Sequence, residues 1–175
     1  MTTVRRVDAT GRSSGRFKVV GPRTKKWKIQ GQYVHHPRNL LESPGWRALT
    51  MPARRIIDFL EIEHLAHGGQ ENGQLVAPYA QLQKAGVSSR DIRGAFDMLE
   101  AFGIVRRTDE QRHRRERQGG RKNTSRFRLT WLPDYGRDEL PTCDYERVTQ
   151  AEIDQFFEQR RSWVEMRSVQ KAKAA

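Results

Sequence analysis

Between residues 51 and 102 apolar side chains return every three or four positions, and beyond that stretch they fall into short runs. In MPARRIIDFLEIEHLAHGG, Ile56, Leu60 and Glu63 share one face with Ile57 and His64 beside it, the spacing of a helix that Gly68 and Gly69 end. ENG then supplies a turn before the short apolar run LVA. PYAQLQKAG reads as a short helix, with Tyr79, Leu82 and Gln83 at helical spacing and Gly86 as its stop. VSS turns the chain into SSRDIRGAFDMLEAFG, where Ile92, Ala95, Phe96, Leu99 and Phe102 form the apolar stripe and Gly103 closes the helix. Ser88, with Asp91 three residues on, has the spacing of a capping box. IVRR and RFRLTWL read as two strands joined by the long loop TDEQRHRRERQGGRKNTS.

Upstream, HHPRNLLESPGWRALT begins the organised part of the chain. Ser43 before Pro44 is a helix start: an oxygen to cap, then a residue whose missing N–H costs nothing there. Trp46 and Leu49, three apart, face the core, and Thr50 caps the helix after them. Residues 1–16 are polar, with little to bury, and the composition predicts disorder. From Phe17 to Val34 two strand-like runs appear, FKVV and WKIQGQYV. Downstream of the second strand, PDYGRDELPTCDYER reads as an irregular acidic connector. Thr149 and Glu152 make a second capping box, opening a helix to about Arg167 with Ile153, Phe156, Phe157, Trp163 and Val164 as its apolar positions. Two uses of this helix stay open: packing on its own domain, or reaching a second subunit or another protein.

This order of elements predicts a mainly α fold with a small β-hairpin. It reads as a winged helix-turn-helix with an N-terminal basic arm and a C-terminal helix. The boundaries are 1–32 for a basic, partly disordered arm, 33–133 for the domain, and 134–175 for the connector and last helix.

Charge sharpens the picture. The chain carries +12 at neutral pH, unevenly: +9 over residues 1–48, −2 over 49–102, +7 over 103–132 and −2 over 133–175. A surface made only for solubility mixes its signs, whereas blocks of one sign point to a polyanionic partner. With one cysteine, Cys143, no internal disulfide can form, which fits a reducing compartment. No apolar run has the length of a membrane span, and the Arg-rich N-terminus lacks the apolar stretch of a secretory signal.

The second helix of the pair carries the sharpest candidates. Ser89, Arg90 and Arg93 lie off its apolar stripe, near the end that enters a major groove in this motif. Arginine can bond guanine O6 and N7 together, which is worth ~1–3 kcal/mol of discrimination. Asp97 is read as an ion-pair partner of Arg93 at i+4. Gly94 in mid-helix costs ~1 kcal/mol against Ala, and a close approach by DNA or by another helix would account for it.

In the loop, Arg112, Arg114, Arg115, Arg117, Arg121 and Lys122 repel one another unless phosphates neutralise them. Six such contacts would give a log K against log salt slope of about −5. In the arm, Arg16, Lys25, Lys26 and Lys28 are candidate backbone contacts, with Phe17 and Trp27 read as packing residues. His64 and His67, with Glu61 and the pair His35 and His36, lack HExxH or CxxC company and read as structural histidines. No phosphate-cradling or nucleophile motif occurs, so no enzyme activity, metal or cofactor is expected.

The runs LLESPGWRALT, ENGQLVAPYAQL and RFRLTWLP sit in a stretch, about Tyr33 to Pro133, that resembles small winged-helix proteins of alphaproteobacterial genomes. Such proteins are often found on phages, plasmids and integrative elements, and more distantly the stretch is similar to winged-helix plasmid replication initiators. The resemblance implies a bacterial, nucleoid-associated, cytoplasmic DNA-binding protein and carries over no site residue. The expected function is sequence-specific binding of double-stranded DNA in transcriptional control. The same residues would serve a replication or recombination accessory factor of a mobile element, or an RNA-binding module. A protein-interaction module would instead use the last helix.

Overall fold

The structure is a computed structural model that describes residues 31–108 and 125–173, with the side chains of the last helix followed to residue 162. Tyr33–Ala175 form one compact unit. The strand-like runs before residue 31 lie outside the described residues, and residues 31–34 join no strand. The elements are α1 (Arg38–Glu42), α2 (Pro44–Arg47), α3 (Met51–Ala66), β1 (Leu75–Val76), α4 (Tyr79–Lys84), α5 (Ser89–Ala101), β2 (Val105–Arg107) and β3 (Arg126–Leu129). A 3-10 turn (Asp144–Arg147) and α6 (Gln150–Lys173) complete the chain. The fold is thus mainly helical with a small antiparallel sheet. The sheet has a third strand beyond the expected hairpin, because the LVA run pairs with it: the order is β1-β3-β2, with Leu75 opposite Phe127 and Val105 opposite Leu129.

Period 3.6 builds the core. Ala53, Ile56, Ile57, Leu60 and His64 are buried along α3, and Ile92, Ala95, Phe96, Met98 and Leu99 along α5. Glu63 is only half-buried, so the α3 stripe passes through Ala53 and His64 rather than through it. In α4 only Leu82 is buried, while Tyr79 and Gln83 face outward. Strand alternation sends Phe127 of β3 toward the helices, where its ring stacks on Phe96 with centroids 4.4 Å apart and planes 12° from parallel.

Alternation also sends Arg128 to the other face of the sheet, where it is buried rather than exposed. Its guanidinium pairs with Glu139 and donates to the Leu140 carbonyl at 2.6 Å. The connector therefore covers that face, and the ion pair meets the demand of a buried charge. Asn72, fully buried, ties the turn before β1 to the end of β3. Its amide nitrogen donates to the carbonyls of Leu129 (3.0 Å), Leu132 (2.9 Å) and Pro133 (3.2 Å), and its oxygen accepts from the Leu129 N–H at 2.8 Å.

The helix starts divide. Ser43 caps α2 through the Trp46 N–H at 3.2 Å. At α6 the Thr149 N–H donates to Glu152 Oε2 at 2.7 Å and the Glu152 N–H to Thr149 Oγ1 at 3.4 Å, a reciprocal box that holds the Glu152 carboxyl below its usual range. Thr50 stands at the start of α3 but donates its hydroxyl to Met98 Sδ at 3.7 Å instead of capping. The last helix runs to Lys173, beyond the expected end near Arg167. Its Ile153 is buried, and Phe156 and Phe157 meet the Phe102 ring edge-on at 5.3 and 6.0 Å, so its first half packs on its own domain.

Replacing Asn72 by Ala strands a buried N–H and loosens three carbonyls, and lowers the unfolding free energy by about 2–4 kcal/mol. Urea unfolding followed by tryptophan fluorescence measures it; an unchanged midpoint would contradict the role given to Asn72.

Candidate nucleic-acid interface

The α4–turn–α5 unit is held from behind. Gly86 ends α4 with φ +86°, and its N–H bonds the Gln83 carbonyl at 3.0 Å while Val87 N–H bonds the Leu82 carbonyl at 3.0 Å. The buried side chains of Leu82 and Val87 anchor the two sides of the turn. Arg55 of α3 donates to the Gly86 carbonyl, which locks the turn onto the long helix behind it. A side chain at Gly86 would meet that guanidinium.

Ser88 starts α5 by backbone position, yet its hydroxyl makes no capping bond, contrary to the capping-box expectation. The reason is local: the Asp91 N–H is already bonded to the Ser88 carbonyl at 2.9 Å. Asp91 still places a negative charge in the first turn, where the helix dipole favours it.

Ser89, Arg90, Arg93 and Asp97 all point outward from α5. The expected Arg93–Asp97 ion pair does not form among the described residues. Both side chains are exposed, and an i,i+4 pair in water returns only ~0.3–0.5 kcal/mol against the entropy of fixing two side chains. Arg90 and Arg93 are left without a hydrogen-bond or ion-pair partner among the described residues.

Most other arginines of this unit have internal work. Arg54 donates to the Trp46 carbonyl at 2.9 Å and lies 5.4 Å from the centre of that ring. Arg106 pairs with Asp144 at 3.7 Å, and Arg107 pairs with Glu100 at 2.9 Å while lying over Phe127. Arg126 bonds the Gln74 side chain. The exposed, unengaged cations include Lys84 at the end of α4 together with Arg90 and Arg93.

Gly94 is explained by another helix. Arg160 of α6 donates from Nη1 to the Gly94 carbonyl at 2.8 Å, and a Cβ on Gly94 would stand 2.1 Å from Arg160 Nη2. Sequence reasoning missed Arg160; the only signal was a glycine inside a good helix.

The β2–β3 pairing carries the chain out at Thr108 and back at Arg126, with the Thr108 N–H on the Arg126 carbonyl at 3.0 Å and Thr108 Oγ1 on the Gly73 carbonyl at 2.7 Å. The loop candidates Arg112, Arg114, Arg115, Arg117, Arg121 and Lys122 lie outside the described residues, as do the arm candidates Arg16, Lys25, Lys26 and Lys28.

His36 and His67 make contacts within the fold, His64 is buried, and His35 is exposed. His36 Nε2 lies 2.5 Å from Glu61 Oε1, with its ring against Trp46 and Trp131 at 5.1 and 5.6 Å. Burial pushes the Glu61 carboxyl above its usual range, against the pull of His36, and burial pushes His64 below the usual imidazole value. His67 sits between Glu63 and Glu71 at 3.3 and 3.7 Å. Among the described residues no group of three or more His, Cys, Asp or Glu is placed to hold a metal ion, and no helix is long and apolar enough to cross a membrane. Comparison with protein-family models, with curated proteins and with solved structures finds no match to this chain.

The turn generates one test. Gly86→Ala forces a side chain into the left-handed region, at about 1–2 kcal/mol, and also presses on Arg55. Thermal unfolding should show a midpoint lower by several degrees; an unaltered midpoint means the turn can relax and is not locked by Arg55.

Proposed function

We propose that this chain is a sequence-specific double-stranded DNA-binding protein acting in transcriptional control, built as a winged helix-turn-helix. In this reading α4 is the first helix of the motif, α5 the recognition helix, and β2 and β3 the stem of the wing. The carrying observation is the pair Arg90 and Arg93, one turn apart on the outward face of α5 and without internal partners among the described residues.

The bland account of exposed arginines is a solvated helix face. Against it stands the use of arginine elsewhere in the same unit, where Arg54, Arg55, Arg106, Arg107, Arg126 and Arg128 each serve the fold. Two guanidinium groups left free on a helix braced from behind by α3 suit an external acceptor. Guanine O6 and N7 in a major groove match the guanidinium fork. The charge blocks support the same partner: the +7 of residues 103–132 is concentrated in and around the β2–β3 connection.

Crosslinking the protein to DNA in its own cells and sequencing the bound fragments tests the regulatory role. Sharp peaks sharing one motif upstream of genes are expected. A single peak at an origin or an element boundary would replace transcription by replication or recombination, and motif-free occupancy would remove base reading by Arg90 and Arg93. In vitro, Arg93→Ala should relax preference at one or two base pairs of the selected site, by about 1–3 kcal/mol. Equal losses on the selected site and on random duplex would contradict the base-reading role.

A further inference from the structure

We infer that Arg160 of α6 is a third cation of the DNA-facing surface, seated on Gly94 so that its free donors meet a backbone phosphate beside the bases approached by Arg90 and Arg93. The inference rests on the DNA-binding reading above and extends it to a helix outside the helix-turn-helix.

The seat is specific. Glycine is disfavoured inside a helix relative to alanine, and at position 94 the missing Cβ leaves room that the Arg160 guanidinium fills. Gly94 is four residues after Arg90 and one after Arg93, on the outward side of α5. Residues four apart on a helix are neighbours, so the guanidinium of α6 is added within about one turn of both arginines of α5.

Holding α6 in place does not depend on this contact alone. The helix is already fixed by buried Ile153, by Phe156 and Phe157 on Phe102, and by the Thr149–Glu152 cap. Three arginines that bind elements of this unit together take carboxylates, Arg106 with Asp144, Arg107 with Glu100 and Arg128 with Glu139, and two take backbone carbonyls, Arg54 that of Trp46 and Arg55 that of Gly86. Arg160 takes one backbone carbonyl, as Arg55 does, and forms no ion pair with Asp97 on the same face or with any other described carboxylate.

A guanidinium has five donors in a planar fork. One goes to Gly94, and the bond fixes the group without neutralising it. Three such charges crowded on one helix face repel, and an incoming polyanion turns that repulsion into attraction. A phosphate can take two parallel N–H bonds from the remaining fork.

The test measures duplex binding by fluorescence anisotropy over a salt series. It compares the full unaltered chain with Arg160→Ala, Arg160→Lys and Gly94→Ala, on the selected site and on random duplex. Arg160→Ala should weaken binding to both duplexes alike and make the log K against log salt slope shallower by about 0.9, one phosphate contact. Gly94→Ala, which evicts the guanidinium while favouring the helix, should weaken binding with no loss of melting temperature. Arg160→Lys should keep the slope and lose affinity, because it retains the charge but not the fork.

Unchanged affinity and slope in Arg160→Ala, or tighter binding in either Ala variant, overturns the inference; the second result would mean that α6 screens α5. Either outcome, with the unaltered chain binding duplex, leaves the DNA-binding reading standing. Failure of the unaltered chain to bind any duplex overturns both.

Discussion

The constraint on which the rest of this structure depends is the double duty of α5. The helix has to bury Ile92, Ala95, Phe96, Met98 and Leu99 against α3 and the sheet while leaving Ser89, Arg90, Arg93 and Asp97 in solvent. Each fully buried large side chain is worth about 1.5–3 kcal/mol, so rotating the helix by one residue about its axis would forfeit several such terms. Its rotational setting is therefore stiff. The stacked rings of Phe96 and Phe127 fix that setting against the central strand, and Arg55 fixes the turn that feeds the helix. An outward face of this kind is presented rigidly, which the proposed reading of base edges would need.

The small sheet holds together only because polar side chains finish it. Its strands are too short to be stable alone. Asn72 ties the turn before β1 to the end of β3 through backbone groups that would otherwise be stranded, and Arg128 with Glu139 draws the connector over the face turned away from α5. The same connector leads through Tyr145, buried beside Asn39, to the start of α6. The segment read from sequence as a link between domain and last helix is a layer of the domain itself.

Much of this was legible in the residues, and the failures have physical reasons. The stripe of α5 and most of that of α3 followed from periodicity, while Glu63, Tyr79 and Gln83 are not buried although their spacing fits. The caps at Ser43 and Thr149 followed too, but those expected at Ser88 and Thr50 did not form. A cap competes with other partners for the same groups, and those partners come from backbone geometry or from a distant residue such as Met98. The third strand was illegible because two residues carry no alternation. Arg128 was hidden because a charge in a strand reads as solvent-facing until the element covering it is known. At the candidate site Arg90 and Arg93 were readable as exposed, since facing depends only on helix phase. Their freedom from Asp97 was not, and neither was Arg160, whose contact with Gly94 spans |i−j|=66 in the chain.

The placement of charge follows the same division between fold and partner. Residues 49–102, which supply α3, α4 and α5, carry a net −2, and their arginines other than Arg90 and Arg93 are engaged in internal bonds. A packed unit this small gains little from surplus positive charge, because self-repulsion opposes compaction. The excess lies in residues 1–48 and 103–132. Within the described helices a few unneutralised cations then matter more than the total, since their positions are set by the core. Counterion release supplies affinity wherever the basic segments meet phosphate, but it supplies no register. Register has to come from groups whose geometry the fold controls. In the proposed reading those groups on α5 are Arg90 and Arg93, braced by the stripe beneath them, while Gly94 next to Arg93 carries the Arg160 guanidinium on its carbonyl.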